Sequence, residues 1–280
     1  MKKFLIKILS IILILNFLFT NTSKANDIVE EEYHVNRDSI NLYGKITAPS
    51  DYKEKKLPLL IISHGFNNTL EMYDDYAEKF AEEGYIVYRF DFFGGSRNSK
   101  SGGQDMQNMS ILTEKADLEA VINKLSQENF VDKEKINLLG VSQGGVVSTL
   151  YASENKDKVN KLLLIFPAFV MFDDLKETYE KLGVSSLDQV PKSISHRNSN
   201  LGSSYLTDAI NIDINKKISE VAAPTLIIHG TNDSVVPYSY AENANKTFKN
   251  SKLVTVENGG HRLDSRFNNV ALKEISEFMK

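Results

Sequence analysis

Gly140-Val141-Ser142-Gln143-Gly144 is the segment whose residue types and spacing most directly suggest chemistry. The apolar run Ile136-Asn137-Leu138-Leu139 before it reads as a strand. The small residues after it, to about Ser153, read as a helix. A serine between such elements occupies a tight, strained turn, and its neighbours two positions away must be small for strand and helix to approach. Gly140 and Gly144 meet that requirement, and Gly145 relaxes it further. The helix N-terminus beyond Ser142 offers unpaired N–H groups and a dipole that favours negative charge. Ser142 is the candidate nucleophile.

A serine hydroxyl needs a base, and the base needs an orienting acid. His261 follows Gly259-Gly260 just beyond the run Leu253-Val254-Thr255-Val256, and it precedes a terminal helix. Asp233 lies just beyond the run Thr225-Leu226-Ile227-Ile228, in the segment His229-Gly230-Thr231-Asn232-Asp233. Glu257 and Asp264 are alternative acids, but neither follows the end of the preceding strand as Asp233 does. An oxyanion also needs two donors. The backbone N–H of Gln143 is one. The other is expected from the N–H of Phe66, because Gly65 lets the loop after Leu59–Ser63 turn inward. His64 and His229 are expected to brace loops, and His34 and His196 have no recognisable chemical context. No histidine–carboxylate spacing suggests a metal site. With no cysteine, a thiolate nucleophile, a disulfide framework and a thiolate metal site are excluded together.

The elements that must position these groups alternate. Buried-strand runs at Leu59–Ser63, Tyr85–Phe90, Ile136–Leu139, Leu162–Phe166, Thr225–Ile228 and Leu253–Val256 are separated by helical or long intervening segments. One helical pattern comprises Tyr73, Tyr76, Ala77, Phe80 and Ala81, with Gly84 as its cap; another comprises Leu118, Val121, Ile122 and Leu125. Ile28–Val35 and Ile40–Thr47 read as an opening antiparallel pair. This alternation predicts an α/β domain with a mainly parallel sheet, with active groups at the carboxyl ends of the strands. Residues 168–220 break the rhythm. They read as a cap inserted over the sheet edge, or as an irregular surface excursion, with a helix near Asp173–Leu182 and a polar stretch at Ser193–Ser204.

The first 25 residues carry Lys2, Lys3 and Lys7, an apolar stretch from Ile8 to Phe19, and Ser23-Lys24-Ala25. That order predicts a secretory signal cleaved after Ala25, against the alternative of an N-terminal membrane anchor. The remaining domain is 26–280, and a cleaved chain is secreted with no lasting membrane association. Hydrophobic residues are 41% and charged residues 25%, as in a globular domain, and the net charge of −4 gives no reason to expect a nucleic-acid partner. Without tryptophan, any aromatic pocket must be built from phenylalanine and tyrosine.

Five segments together resemble the α/β-hydrolase superfamily. They are Ser63-His64-Gly65-Phe66, Phe90-Asp91-Phe92-Phe93-Gly94, Gly140 to Gly145, His229 to Pro237, and Gly259-Gly260-His261. The chain is most similar to bacterial esterases related to cinnamoyl (feruloyl) esterases and to serine aminopeptidase-like hydrolases. The resemblance implies an eight-stranded, mostly parallel sheet with helices on both faces and an inserted cap over about 168–220. It implies Ser142 as nucleophile, Asp233 as acid, His261 as base, and Phe66 and Gln143 as oxyanion donors. The implied function is cleavage of a small-molecule carboxylic ester without a cofactor. One segment departs from the family: Gly94-Gly95-Ser96 stands where glycine–histidine–glycine is usual, followed by a serine-rich loop. Two other readings remain. An aminopeptidase would need an acid for the substrate amine, for which Asp173, Asp174, Glu177 and Glu180 are candidates. A non-catalytic binding protein would lack a triad member, and none is missing here.

Overall fold

The computed structural model describes residues 27–102 and 105–280; the expected export signal over 1–25 lies outside the described residues. Eight strands form the main sheet: β1 (Ile28–Glu32), β2 (Gly44–Pro49), β3 (Leu57–Ser63), β4 (Ile86–Phe90), β5 (Val131–Val141), β6 (Lys161–Ile165), β7 (Thr225–Gly230) and β8 (Ser251–Val256). Their spatial order is β1-β2-β4-β3-β5-β6-β7-β8. β2 is antiparallel to both β1 and β4, and every later pairing is parallel. The two opening apolar stretches each break in two. Val35–Arg37 and Ile40–Leu42 form a separate small hairpin, because the chain reverses at Asp38, whose φ is 54°.

The central strands are apolar on both faces because helices cover both. In β3, Leu59 and Ile61 face one core, while Leu60 and Ile62 face the other. The first core is closed by α2 (Ile111–Leu125), α3 (Gln143–Glu154), α6 (Ile214–Glu220) and α7 (Tyr238–Thr247). The second is closed by α1 (Asp74–Glu82) and α8 (Ser265–Met279), through Ala77, Phe80, Ala271 and Ile275. A start signal explains where α2 begins: the Ser110 hydroxyl accepts from the Thr113 N–H at 3.2 Å, and the Thr113 hydroxyl accepts from the Ser110 N–H at 2.8 Å.

The segment between β6 and β7 folds as α4 (Met171–Leu182), a two-stranded hairpin of Ser193–His196 with Ser199–Gly202, α5 (Ser204–Thr207) and then α6. The polar composition of Ser193–Ser204 conceals that hairpin. Only Ile194, Ser199, Leu201 and Gly202 among its strand residues are buried. Its turn places Arg197 at φ 46° and Asn198 at φ 60°, the paired left-handed geometry of a two-residue hairpin loop. The hairpin is seated on the loop before α2: the Arg97 guanidinium donates to the Asn198 carbonyl at 2.7 Å and the Ser199 hydroxyl at 3.2 Å.

Among the described residues, no helix is long and apolar enough to cross a membrane. Two glycines in the fold differ sharply in what they permit. A Cβ on Gly144 would collide with the carbonyl oxygen of Ser63 and sit 2.5 Å from that of His64, so α3 reaches the end of β3 only because this residue is glycine. Gly183 ends α4 at φ 63° with open space around it. Urea unfolding midpoints are expected to separate them. Gly183→Ala should cost about 1 kcal/mol for the left-handed φ alone. Gly144→Ala must push back a central strand and should cost upwards of about 3 kcal/mol.

Candidate active site

Ser142 lies between the last residue of β5 and the first of α3, at φ 53° and ψ −117°. This conformation is costly for a residue with a side chain, and the surroundings hold it in place. Its N–H donates to the Ile165 carbonyl at 3.0 Å. Its carbonyl accepts from the N–H groups of Gly145 and Ala168, both at 3.0 Å. The turn can close because a Cβ on Gly140 would strike the backbone of Gly144 and Gly145.

His261 Nε2 is 3.0 Å from Ser142 Oγ, and His261 Nδ1 is 2.7 Å from Asp233 Oδ2. The three groups therefore form one hydrogen-bonded line, although 119 residues separate the serine from the histidine. Asp233 is held by more than the histidine. Its Oδ1 accepts from the N–H groups of Val235 and Val236, both at 2.8 Å. His229 Nε2 is 3.3 Å from Asp233 Oδ2 and 3.0 Å from the Val236 carbonyl. A carbonyl can only accept, so Nε2 of His229 carries the proton. Burial pushes the Asp233 carboxyl up, but donation from His229, His261 and the Val236 N–H outweighs it and holds the group well below the usual carboxylate range. An ionised Asp233 fixes the proton of His261 on Nδ1, leaving Nε2 free to accept from the Ser142 hydroxyl.

The loops bearing Asp233 and His261 are joined to each other. The Asn232 N–H donates to the Gly259 carbonyl at 2.9 Å, and the Asn258 N–H donates to the Thr231 hydroxyl at 2.8 Å. Gly230 and Gly259 touch backbone to backbone, which no larger residue would allow. The alternative acids are placed elsewhere. Asp264 caps α8 through a 3.0 Å bond from the Phe267 N–H, and Glu257 is exposed.

The loop after β3 passes against the serine: a Cβ on Gly65 would lie 3.1 Å from Ser142 Cβ. This brings Phe66 to the site beside Gln143, whose N–H, first in α3, has no intrahelical acceptor. His64 braces the loop. Its Nδ1 donates to the Gly65 carbonyl at 2.8 Å, and its Nε2 accepts from the Phe92 N–H at 3.0 Å, a pattern only the neutral ring can make. Burial depresses its pKa accordingly.

A cavity of about 520 Å³ contains Ser142 and His261 on its lining. Spacing in the sequence pointed to neither His196 nor Tyr205, yet both line it, brought in by the β6–β7 segment. Phe66, His196 and Tyr205 form an aromatic group, with ring centroids 5.1 to 6.0 Å apart. Burial, with Arg197 beside it, pulls His196 down to about 4. Phe166, at φ 32°, sets its ring 4.4 Å from that of His261. Asp173, Asp174, Glu177 and Glu180 do not line the cavity; the carboxylate on its lining is Asp75. Asp173 accepts from the Tyr240 hydroxyl at 2.6 Å, Asp174 lies 3.5 Å from Arg197, and Glu177 pairs with Lys181 at 2.5 Å; Glu180 is exposed. Among the described residues, no group of three or more His, Asp or Glu side chains is disposed to hold a metal ion.

Comparison with known proteins gives the family. The family model described as serine aminopeptidase, S33, matches residues 54–211, more than half of the chain. The chain belongs to this family of α/β-hydrolases. A second model, TAP-like protein, matches residues 208–280. The AB hydrolase superfamily protein YisY of Bacillus subtilis is 26% identical over 236 residues, covering 72% of this chain and 84% of that protein. The structure of Est1E from Butyrivibrio proteoclasticus with ferulic acid bound is similar at a TM-score of 0.77 and 28% identity, over 88% of this chain and 97% of that one. The monoacylglycerol lipase of Paleococcus ferrophilus, 19% identical with a TM-score of 0.66 over 85% of this chain and 98% of that one, shares the fold. The chain is thus a hydrolase of the α/β-hydrolase fold.

The buried Asp233 carries a pH-dependent share of stability. Its folded pKa lies below its unfolded one, so this share is present above about pH 4 and is lost as pH falls. Asp233→Asn is expected to unfold more easily by about 3 kcal/mol at pH 7, with the gap to wild type narrowing toward pH 3. Urea midpoints at pH 3, 5 and 7 measure it.

Proposed function

We propose that the protein is a serine hydrolase that cleaves carboxylic esters through an acyl-enzyme intermediate. The observation that carries this reading is the hydrogen-bonded line Ser142–His261–Asp233 on the lining of the cavity. In the first step, Ser142 Oγ attacks the ester carbonyl carbon while His261 Nε2 takes its proton. Asp233 keeps the imidazole oriented and stabilises the imidazolium. The N–H groups of Phe66 and Gln143 hold the oxyanion. As the intermediate collapses, His261 returns the proton to the departing alcohol oxygen. Water then attacks the acyl carbon as His261 removes its proton; His261 returns that proton to Ser142 Oγ as the C–Oγ bond breaks, which releases the carboxylic acid and regenerates the serine.

The ester reading is favoured over the aminopeptidase reading by the partners of the acidic residues. Asp173, Asp174 and Glu177 are engaged by Tyr240, Arg197 and Lys181, which leaves them poorly disposed to take a substrate amine. The ester reading is also in keeping with the likeness to Est1E, whose structure holds ferulic acid. We read the β6–β7 segment as a cap that shapes the pocket, since it contributes His196, Arg197 and Tyr205 to the lining. We further read residues 1–25 as an export signal; N-terminal sequencing of protein recovered outside the cell would show Asn26 first.

Ser142→Ala is expected to lower kcat for p-nitrophenyl acetate by at least about 1,000-fold and to abolish labelling by a fluorophosphonate, with the fold intact by circular dichroism. Unchanged turnover would refute the assignment. Faster cleavage of an aminoacyl anilide than of a matched ester would favour the peptidase.

A further inference from the structure

Gln143 carries a backbone donor of the proposed oxyanion hole, and its side chain is occupied at both ends. Nε2 donates to Glu114 Oε2 at 2.7 Å, and Oε1 accepts from the Tyr205 hydroxyl at 2.7 Å. All three side chains are buried. Glu114 comes from the first turn of α2, Gln143 from the start of α3, and Tyr205 from α5 in the β6–β7 segment. Three elements that are distant in the chain therefore meet on one amide. The ring of Tyr205 also lies 6.0 Å from that of Phe66. One residue of the inserted segment thus reaches the side chains of both proposed donors.

Donor placement in this region is demanding. An oxyanion donor works when it lies about 2.7 to 3.1 Å from the developing charge, and loss of one donor costs about 100- to 1,000-fold in rate. The Gln143 N–H has no helical hydrogen bond to restrain it, and it follows the strained Ser142. A side chain anchored at both ends supplies the missing restraint. The acceptor at one end is suited to the place: burial, with Asp117 nearby, pushes Glu114 up to about 8 even against the bond from Gln143, so the acid is predominantly neutral at pH 7. No full negative charge then sits behind the Gln143 side chain.

We propose that Tyr205 is a positioning residue for the oxyanion hole, holding Gln143 through its hydroxyl and Phe66 through its ring. The seating of the β6–β7 segment thereby sets the rate of the chemical steps as well as the shape of the pocket. This inference rests on the ester-hydrolase reading above.

The test is a double-mutant cycle in the full enzyme, with p-nitrophenyl acetate, whose small acyl group makes few demands on the pocket. Tyr205→Phe removes only the hydroxyl. It is expected to lower kcat about 10-fold with KM within about twofold, and to weaken a trifluoromethyl ketone inhibitor by the same factor. Gln143→Met keeps the length but loses the hydrogen bonds to Glu114 and Tyr205. In that background Tyr205→Phe should have little further effect, because the shared bond is already gone. Thermal midpoints establish that each variant is folded. A Tyr205→Phe enzyme with wild-type kcat and a raised KM would overturn the proposal and make Tyr205 a pocket wall only. So would fully additive losses in the cycle. Either result leaves the ester-hydrolase reading standing if Ser142→Ala is inactive. Absence of ester turnover in the wild type would overturn both.

Discussion

The site depends on a backbone conformation that an amino acid with a side chain resists. Ser142 sits at φ 53°, between a strand that must end and a helix that must begin within one residue. Positive φ in such a residue costs on the order of 1 to 3 kcal/mol and persists only where the surroundings determine it. Here they do so through three hydrogen bonds, with Ile165, Gly145 and Ala168. Gly140 and Gly144 remove the side chains that would otherwise separate the strand from the helix. The result is a hydroxyl held at the end of β5, clear of the sheet and beside a helix N-terminus.

Around this fixed point, the other groups arrive on loops, and those loops restrain one another. The loops carrying Asp233 and His261, at the carboxyl ends of β7 and β8, are stitched together by Asn232–Gly259 and Asn258–Thr231 hydrogen bonds. The loop after β3 is stiffened by His64, whose two ring nitrogens are both occupied. Asn67 in that loop, at φ 58°, donates its N–H to the Gly95 carbonyl at 2.8 Å, which links it to the glycine- and serine-containing stretch after β4. Arg97 in turn connects that stretch to the hairpin at Asn198 and Ser199. A parallel sheet gathers these loops along one edge; the hydrogen bonds between them give the edge its shape.

Polar groups are buried here at a cost that only full pairing can offset. Asp233 and Glu114 show two solutions. Asp233 is ionised and collects four donors, two from histidines and two from backbone. Glu114 is kept predominantly neutral at pH 7 by burial and accepts from Gln143. The same fold thus buries one charged carboxyl against His261 and one largely uncharged carboxyl against Gln143, each suited to its surroundings.

Much of this was legible in the residues. Alternating apolar runs specify a two-sided parallel sheet, because strands buried on both faces need no polar alternation. The glycine spacing around Ser142 marks the turn, since the steric demand is local. Asp233 and His261 stand out because each directly follows a strand in the required order. The hairpin at Ser193–Gly202 was hidden because its strands have few buried positions, and a polar stretch resembles a loop. His196 and Tyr205 at the cavity, Phe166 against the His261 ring, and the partners of the Gln143 side chain were beyond reading. Those contacts join residues tens to more than a hundred positions apart, through elements whose packing has no periodic signature. The order of residues was enough to specify the sheet and to single out Ser142, Asp233 and His261, because both follow from local sterics and the ends of strands. What surrounds them emerges only on folding, because it depends on how separate segments pack against one another.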